Sequence, residues 1–331
     1  MFPRSIRAAL ASACLASFTA LLCAFTATAS ADDYPSKLIT IVVPYPAGGG
    51  LDVTARILAK GLSDSMGQPV IVENRPGAGG STGSGAVAHA APDGYTLLLA
   101  NPGPNAINPS VYARLPYDAE KDFAPISLVT SLPVLFCVGA DSPIKSMQDL
   151  VAAARKSGPA MTFGSSGNGS LSHLTGEMLN SAAGANLLHV PYRGASPLTL
   201  ALISNEIQVG LLSGLDAKAQ IDAKKIRAIA QGSARRSPIF PNVPTMAESG
   251  FPDFDIDIWY GLVAPAKTPA PIIERLRAEL AKLLADPQIK ARFLELASIP
   301  TPSTPQQFAS VIHADLARYA KIAKSRGIKI D

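Results

Sequence analysis

Apolar and polar positions along this chain keep two periods, and stretches of the two alternate. Residues 38–43 (LITIVV) form an almost unbroken, β-branched apolar run, the pattern of a strand buried on both faces of a parallel sheet. Pro44 and Pro46 end it, because neither can donate to a ladder, and Gly48-Gly49-Gly50 permits a sharp turn. Ile57, Leu58, Leu62 and Met66 then recur at helical spacing, which predicts a helix over 53–66 with Asp52 as its N-cap. A second strand is expected at 69–72, followed by a glycine-loaded loop that opens a small-residue helix at about 83–90. Pro92-Asp93-Gly94 reads as a turn, 95–100 as a third buried strand, and NPGPNAINP as the polar loop beyond it. Strand and helix alternate as in a parallel α/β sheet.

The pattern is broken by 126–140, a long apolar stretch interrupted at Thr130, Ser131 and Pro133. Beyond it the first arrangement returns. Ser146-Met147-Gln148-Asp149 has the form of a capping box for a helix to about residue 156. A strand at 161–163 runs into GSSGNGSLSH and a helix through 179. A strand at 187–190 leads to PYRGASP and another helix, and strands follow at 207–212 and 226–230. Residues 256–264 form one more strand bounded by prolines. Ile272, Leu276, Leu280 and Leu283 mark one face of an amphipathic helix. Thr304-Pro305-Gln306-Gln307 starts the last helix, whose buried side carries Phe308, Ile312, Leu316 and Tyr319.

Two α/β units of similar make-up, joined by the stretches near 129–138 and 256–264, predict a bilobed chain. One lobe takes 32–131 and 260–331, the other 132–259. Loops at the C-terminal ends of the strands of both lobes then face one cleft, where ligands of open α/β sheets bind. A single continuous doubly wound domain fits the same periodicity.

Composition narrows the class. With 47% hydrophobic and 16% charged residues the chain fails both tests for disorder. Arg4 and Arg7, the apolar stretch 8–25 and Ala29-Ser30-Ala31 have the form of a secretory leader over 1–31, which implies export to the periplasm. Loss of those two arginines lowers the formal charge from +4 to +2, so no basic block suggests nucleic acid. Cys14 and Cys23 fall in the leader and only Cys137 remains, which excludes an intramolecular disulfide.

Candidate chemistry sits in the glycine-rich loops. Strand, glycine loop and helix N-terminus together present free N–H groups and a partial positive charge, which suits an anion at 48–50. A tight turn that only packs helix on sheet explains the same glycines. No Gly-Lys-Ser/Thr occurs, so nothing indicates a nucleotide. Arg193 is read either as a partner for a second carboxylate or as a solvated loop residue. Asp216 is read either as an acceptor for a ligand amino or hydroxyl group or as a helix N-cap. The four histidines, His89, His173, His189 and His313, lack metal-ligand spacing, and neither metal nor cofactor is expected. Gly79-Gly80-Ser81-Thr82-Gly83 matches the nucleophile-elbow pattern of serine hydrolases, although residues 73–78 separate it from its strand. A secreted hydrolase using Ser81 is therefore the second hypothesis.

The runs VPYPAGGGLD, ENRPGAGGSTG, APDGYTLLLA, KDFAPISLV, SSGNGSLSHL, HVPYRGASP, VPTMAESGFP and WYGLVAPAKTP, in this order, resemble the Bug (TctC-type) extracytoplasmic receptors of tripartite tricarboxylate transporters. The resemblance implies a type II periplasmic-binding-protein fold: two α/β lobes around a central cleft, joined by two crossing strands. It implies a non-catalytic, monomeric receptor that captures a small organic anion (a mono- or dicarboxylate or an amino acid) for a membrane transporter or sensor.

Topology and resemblance together place the ligand against Tyr45, Pro46, Ala47, Gly48 and Gly49 of the first loop and Asn101 and Asn105 of the third-strand loop. From the second lobe they add Ser165, Ser166, Gly167, Asn168, Ser170 and His173, with Tyr192, Gly194 and Asp216. Backbone amides at 48–50 and 165–170 are expected to act as two facing pincers on a carboxylate. Family members more often carry Phe and Thr where this chain has Tyr45 and Leu51, commonly have a histidine near Asn105, and rarely read VGLLSGLDA. These positions would set specificity, so the resemblance implies no particular substrate.

Overall fold

The computed structural model describes residues 34–157 and 161–330; the expected leader at 1–31 lies outside the described residues. The regular elements named below all belong to Lys37–Asp331, which forms one compact unit. Strand β1 (Ile39–Val43) is parallel to β2 (Val70–Asn74) on one side and to β3 (Thr96–Ala100) on the other, with α1 (Gly50–Met66) and α2 (Ser81–Ala88) in the connections. A π-helical turn at Gly103–Ile107 and the short α3 (Asn108–Val111) lead to β4 (Phe123–Gly139), a 17-residue strand.

The chain continues through α4 (Met147–Ser157), β5 (Thr162–Ser165), α5 (Leu171–Ala183), β6 (Leu188–Pro191) and α6 (Ala195–Ile203). After these come β7 (Val209–Ser213), α7 (Gly214–Asp222), β8 (Ile226–Gln231) and β9 (Asp257–Pro265). Helices α8 (Ala270–Ala285) and α9 (Pro287–Glu295), the two-residue β10 (Ile299–Pro300) and α10 (Pro305–Arg326) complete it. Most elements fall within two or three residues of their sequence expectation. The N-cap of α1 does not: it is Gly49, and Asp52 stands at the third helical position. The sequence reading also passed over α9, capped by Asp286 ahead of Pro287.

The strand order is β2-β1-β3-β9-β4-β7-β5-β6, with β8 and β10 also paired to β4. Strand β4 holds the two halves of this path together. Residues Phe123 to Pro133 pair antiparallel with β9, and residues Val134 to Gly139 pair with β7 and β8. Pro133 is the last partner of β9, opposite Asp257, where a residue without an N–H costs the ladder least. Side chains alternate across the far half of β4: Val134, Phe136 and Val138 join one core cluster with Phe163 and Phe254, while Leu135 and Cys137 join another with Leu202 and Phe240. A third cluster, around Leu98, Trp259, Phe308 and Tyr319, packs α10 on the first half of the sheet. Its polar anchor is Trp259, whose Nε1 donates to Asp315 Oδ2 at 2.8 Å. Among the described residues no helix is long and apolar enough to cross a membrane.

Candidate functional site

The loops that follow β1, β3 and β5, together with Ile258 and Tyr260 of β9, line a cavity of about 450 Å³. The β1 loop delivers the N-terminus of α1 to it. Gly49 caps that helix in extended conformation (φ −80°, ψ 168°) and no side chain accepts from the first turn, so the positive end of α1 reaches the cavity bare. Asp52, the one charged residue of the lining, is already engaged. Its Oδ2 accepts from the Gly48 N–H and from Arg56 Nε, both at 2.9 Å, and its Oδ1 from Asn74 Nδ2 at 3.0 Å. Burial by itself would raise this carboxyl, but the bonds from Arg56, Gly48 and Asn74 outweigh it and hold Asp52 below the usual carboxylate range.

Asn101, at the end of β3, lines the same cavity. Its Oδ1 accepts from the Gly103 N–H at 3.0 Å and from the Tyr45 hydroxyl at 3.3 Å. The Nδ2 of the same amide is buried without a hydrogen-bond partner, in a side chain only 7% exposed that lines the cavity. A buried donor left unmatched costs about 1–3 kcal/mol, so this group suits an acceptor in the cavity. Burial, reinforced by Tyr117, raises the Tyr45 phenol far above its ordinary value and keeps it a neutral donor.

The β5–α5 loop is built otherwise. The Ser166 N–H donates to Ser172 Oγ (2.9 Å), that of Gly167 to Ser165 Oγ (3.2 Å), that of Gly169 to His173 Nδ1 (3.1 Å) and that of Ser170 to the Gly167 carbonyl (3.2 Å). The expected pair of facing amide pincers is therefore unequal: the first loop's helix end is open, whereas the second loop satisfies most of its own donors. What it offers to the cavity is mainly the exposed side chain of Asn168 and, at the start of α5, the wall of Leu171.

Of the residues expected at the site, Tyr45, Pro46, Gly49, Asn101, Ser166, Gly167, Asn168 and Ser170 line this cavity. Asp216 lines an adjoining hollow of about 100 Å³ that shares Ser166, Leu171 and Ile258 with it. Ala47 and Gly48 are exposed outside the cavity wall, and Asn105 is buried behind it, accepting from the Asn101 N–H at 3.3 Å. Ser165 is buried beneath the second loop, bonded to His189 Nε2 at 2.6 Å.

His173 stacks on His189 with centroids 3.7 Å apart and faces a separate hollow beside Glu177 and Arg326. Tyr192 and Gly194 lie outside the cavity lining, the first donating to Glu206 at 2.8 Å, the second capping α6. Arg193 is exposed and lines neither space. The N-cap of α7 is Ser213, so Asp216 is not a cap but a first-turn residue of that helix.

The sequence reading missed Gly79, Asn108, Tyr112, Tyr260 and Ile330, all of which line the cavity. Tyr260 had a visible signal: it lies in the strand-like run at 256–264, close to the lobe crossing. Ile330 had none, since a residue 285 positions after Tyr45 gives no local sign of its neighbour.

Ser81 is 2% exposed and begins α2. Its hydroxyl accepts from Asn108 Nδ2 at 2.9 Å and meets Tyr117 Oη at 3.4 Å, so no histidine stands ready to take its proton. The elbow match at 79–83 reflects glycines that turn the chain, with φ +60° at Gly79 and +94° at Gly80. Among the described residues no three metal-binding side chains cluster.

The model of the tripartite tricarboxylate transporter family receptor, TctC, matches residues 54–328. Protein BugT of Bordetella pertussis is 34% identical over 305 residues, which is 92% of this chain and 94% of its own length. The solved structure titled "R. palustris Rpa4515 with adipate" superposes with a TM-score of 0.80 at 32% identity, covering 90% of this chain and 99% of that one. MatC (Rpa3494) from Rhodopseudomonas palustris with bound malate gives 0.76 at 29% identity, over 87% and 99% of the two chains. The chain belongs to the TctC family of tripartite tricarboxylate transporter receptors, and it is a solute-binding receptor with the periplasmic-binding-protein fold of the Bug type.

Proposed function

We propose that this receptor works in the periplasm, without catalysis and as a monomer, and binds a small organic anion (a mono- or dicarboxylate or an amino acid) by a carboxylate seated between the α1 N-terminus and Asn101. One observation carries the reading: a bare helix end and a buried, unmatched amide donor border the same cavity. No lysine or arginine lines that cavity among the described residues, so the anion is held by dipoles and neutral donors. A helix end contributes roughly 0.3–2 kcal/mol to such an anion, and each added charge-assisted bond about 1.5–3 kcal/mol. The adipate and malate named with two similar structures support the ligand class. Binding draws a lobe of 32–131 with 260–331 against a lobe of 132–259, and the closed form is then presented to a tripartite transporter or a sensor.

Thermal unfolding of the purified protein with a panel of carboxylates is the test. A ligand at about a hundred times its Kd adds roughly 2.7 kcal/mol of stability and is recovered unchanged. A panel of mono-, di- and tricarboxylates and amino acids that leaves the melting temperature where it was would remove the reading.

A further inference from the structure

Two helix N-termini, not one, meet at the cleft, and the carboxylates in their first turns differ: Asp52 of α1 is neutralised by Arg56, whereas Asp216 of α7 has no such partner among the described residues. The α1 end is bare, as described. The α7 end is capped by Ser213, whose hydroxyl accepts from the Asp216 N–H at 3.1 Å and lies 2.6 Å from Asp216 Oδ2. Asp216 places a carboxylate in that first turn, where the helix end favours it. The two ends lie against each other: a β-carbon on Gly50 would stand 2.5 Å from Leu215 Cδ2, so the first turn of α7 rests on the first turn of α1. The same position on Gly50 is 3.4 Å from the Tyr260 hydroxyl. The field of Asp216 reaches that phenol, helping to raise it after burial and ahead of the smaller influence of Tyr45.

Asp216 is solvent-accessible and has no ion-pair partner among the described residues. Among the described residues its side chain bonds only to Ser213, through Oδ2, which leaves Oδ1 without a partner there. It borders the 100 Å³ hollow that joins the main cavity across Ser166, Leu171 and Ile258. Lys225, the cation nearest by shared surface, lines a separate outer hollow with Asp216 and does not bond to it.

Building on the proposed carboxylate seat, we infer that the ligand is a monocarboxylate bearing a cationic nitrogen at its far end, with Asp216 as the residue that selects it. A carboxylate at α1 fills the positive pole of the cleft; an ammonium at Asp216 fills the negative one. A second carboxylate would meet Asp216 with no cation between them, and like charges repel. The cleft thus has a positive pole at the α1 end and a negative one at Asp216, with apolar walls such as Leu171 and Ile258 between, and a dipolar molecule matches it where a symmetric diacid does not.

Titration calorimetry on length-matched pairs tests this: succinate against 4-aminobutanoate, glutarate against 5-aminopentanoate, adipate against 6-aminohexanoate. At the best-fitting length the ω-amino acid is expected to bind at least tenfold more tightly than its diacid. Asp216→Asn, which keeps the contact with Ser213, is expected to weaken the amino acid tenfold or more while leaving or improving the diacid. Diacids that bind as tightly as their partners at all three lengths overturn the inference and leave the carboxylate seat standing. Equal weakening of both classes by Asp216→Asn also overturns it, since a residue that only supports α7 would act that way. If no member of the panel binds, the carboxylate seat itself falls.

Discussion

Ile330 occupies the place of a side chain that Gly169 lacks: its Cδ1 lies 2.1 Å from where a β-carbon on Gly169 would stand. The tail is fixed there by the Ile330 N–H, which donates to the Val111 carbonyl at 2.7 Å, and Ile330 closes one wall of the cavity. Gly169 also has φ +68°, where an L side chain is strained by about 1–2 kcal/mol. Gly169→Ala is therefore expected to lower stability by about that amount and to loosen the tail, even though the Ile330 side chain can swing aside. Denaturant titration reads the first effect and proteolysis of the C-terminus the second; a tail as resistant as before would show that Ile330 does not depend on Gly169.

Gly49 presents the opposite case. Its φ of −80° suits any residue, and no atom lies within 4 Å of a β-carbon built there. Gly49→Val should fold with unchanged stability to within about 0.5 kcal/mol. Its side chain would stand beside the open end of α1, and carboxylate affinity should drop at least tenfold, about 1.4 kcal/mol. Calorimetric titration that returned the wild-type affinity would take the β1 loop out of the site.

Asn101→Asp changes charge while keeping shape. The new carboxylate would accept from Gly103 and Tyr45 as the amide oxygen now does, so the fold is expected to hold. It would also place a negative charge where Nδ2 waits for an acceptor. Anion binding should weaken by a hundredfold or more near neutral pH, and Asn101→Ser should weaken it less. Equal affinities for the two variants would mean that the ligand's charge lies elsewhere.

His189 should make the protein acid-sensitive. Burial, then the neighbouring His173, lowers it from its ordinary 6.5 to about 4, and burial also lowers His173. Above pH 6.5 the histidine is neutral folded or unfolded. Between 6.5 and about 4 the unfolded chain takes up a proton that the folded one refuses, so stability is lost as pH falls through this window. The full shift would correspond to about 2 kcal/mol between pH 7 and pH 5, and because the ring is only partly buried, solvent screening makes the loss smaller. Asp257, raised by burial to about 6, works in the opposite sense, stabilising the folded state as pH falls from 6 towards 3.8. The clean reading is the difference between wild type and His189→Gln in urea unfolding at the two pH values. A slope that the substitution leaves unaltered would place the histidine in a different protonation balance.

What could be read from residues alone was what neighbours in sequence decide. The start of α10 is one instance: Thr304 accepts from Gln307 N–H while Gln307 returns the bond to Thr304, all within four residues. The α/β alternation was legible for the same reason. The site was half legible, because the loop positions followed from strand ends, but the use of each donor did not. Nothing in SSGNGS shows that Ser172 takes the Ser166 N–H or that His173 takes that of Gly169, since any of those amides had solvent or ligand as an alternative. Long-range contacts were beyond reach altogether: Leu215 against Gly50, or Tyr260 beside them, depends on how β4 and β9 bring distant loops together. The buried turn at Gly103–Ile107 looked like an ordinary polar loop because its prolines and asparagines are the residues that loops favour.

A single strand, β4, gives one edge-to-edge run of hydrogen bonds to β9 and another to β7 and β8. Neither half of the molecule can melt without stripping partners from a segment the other half also needs. Heat or denaturant should therefore take the receptor apart in one cooperative transition, with no long-lived species in which one half survives alone.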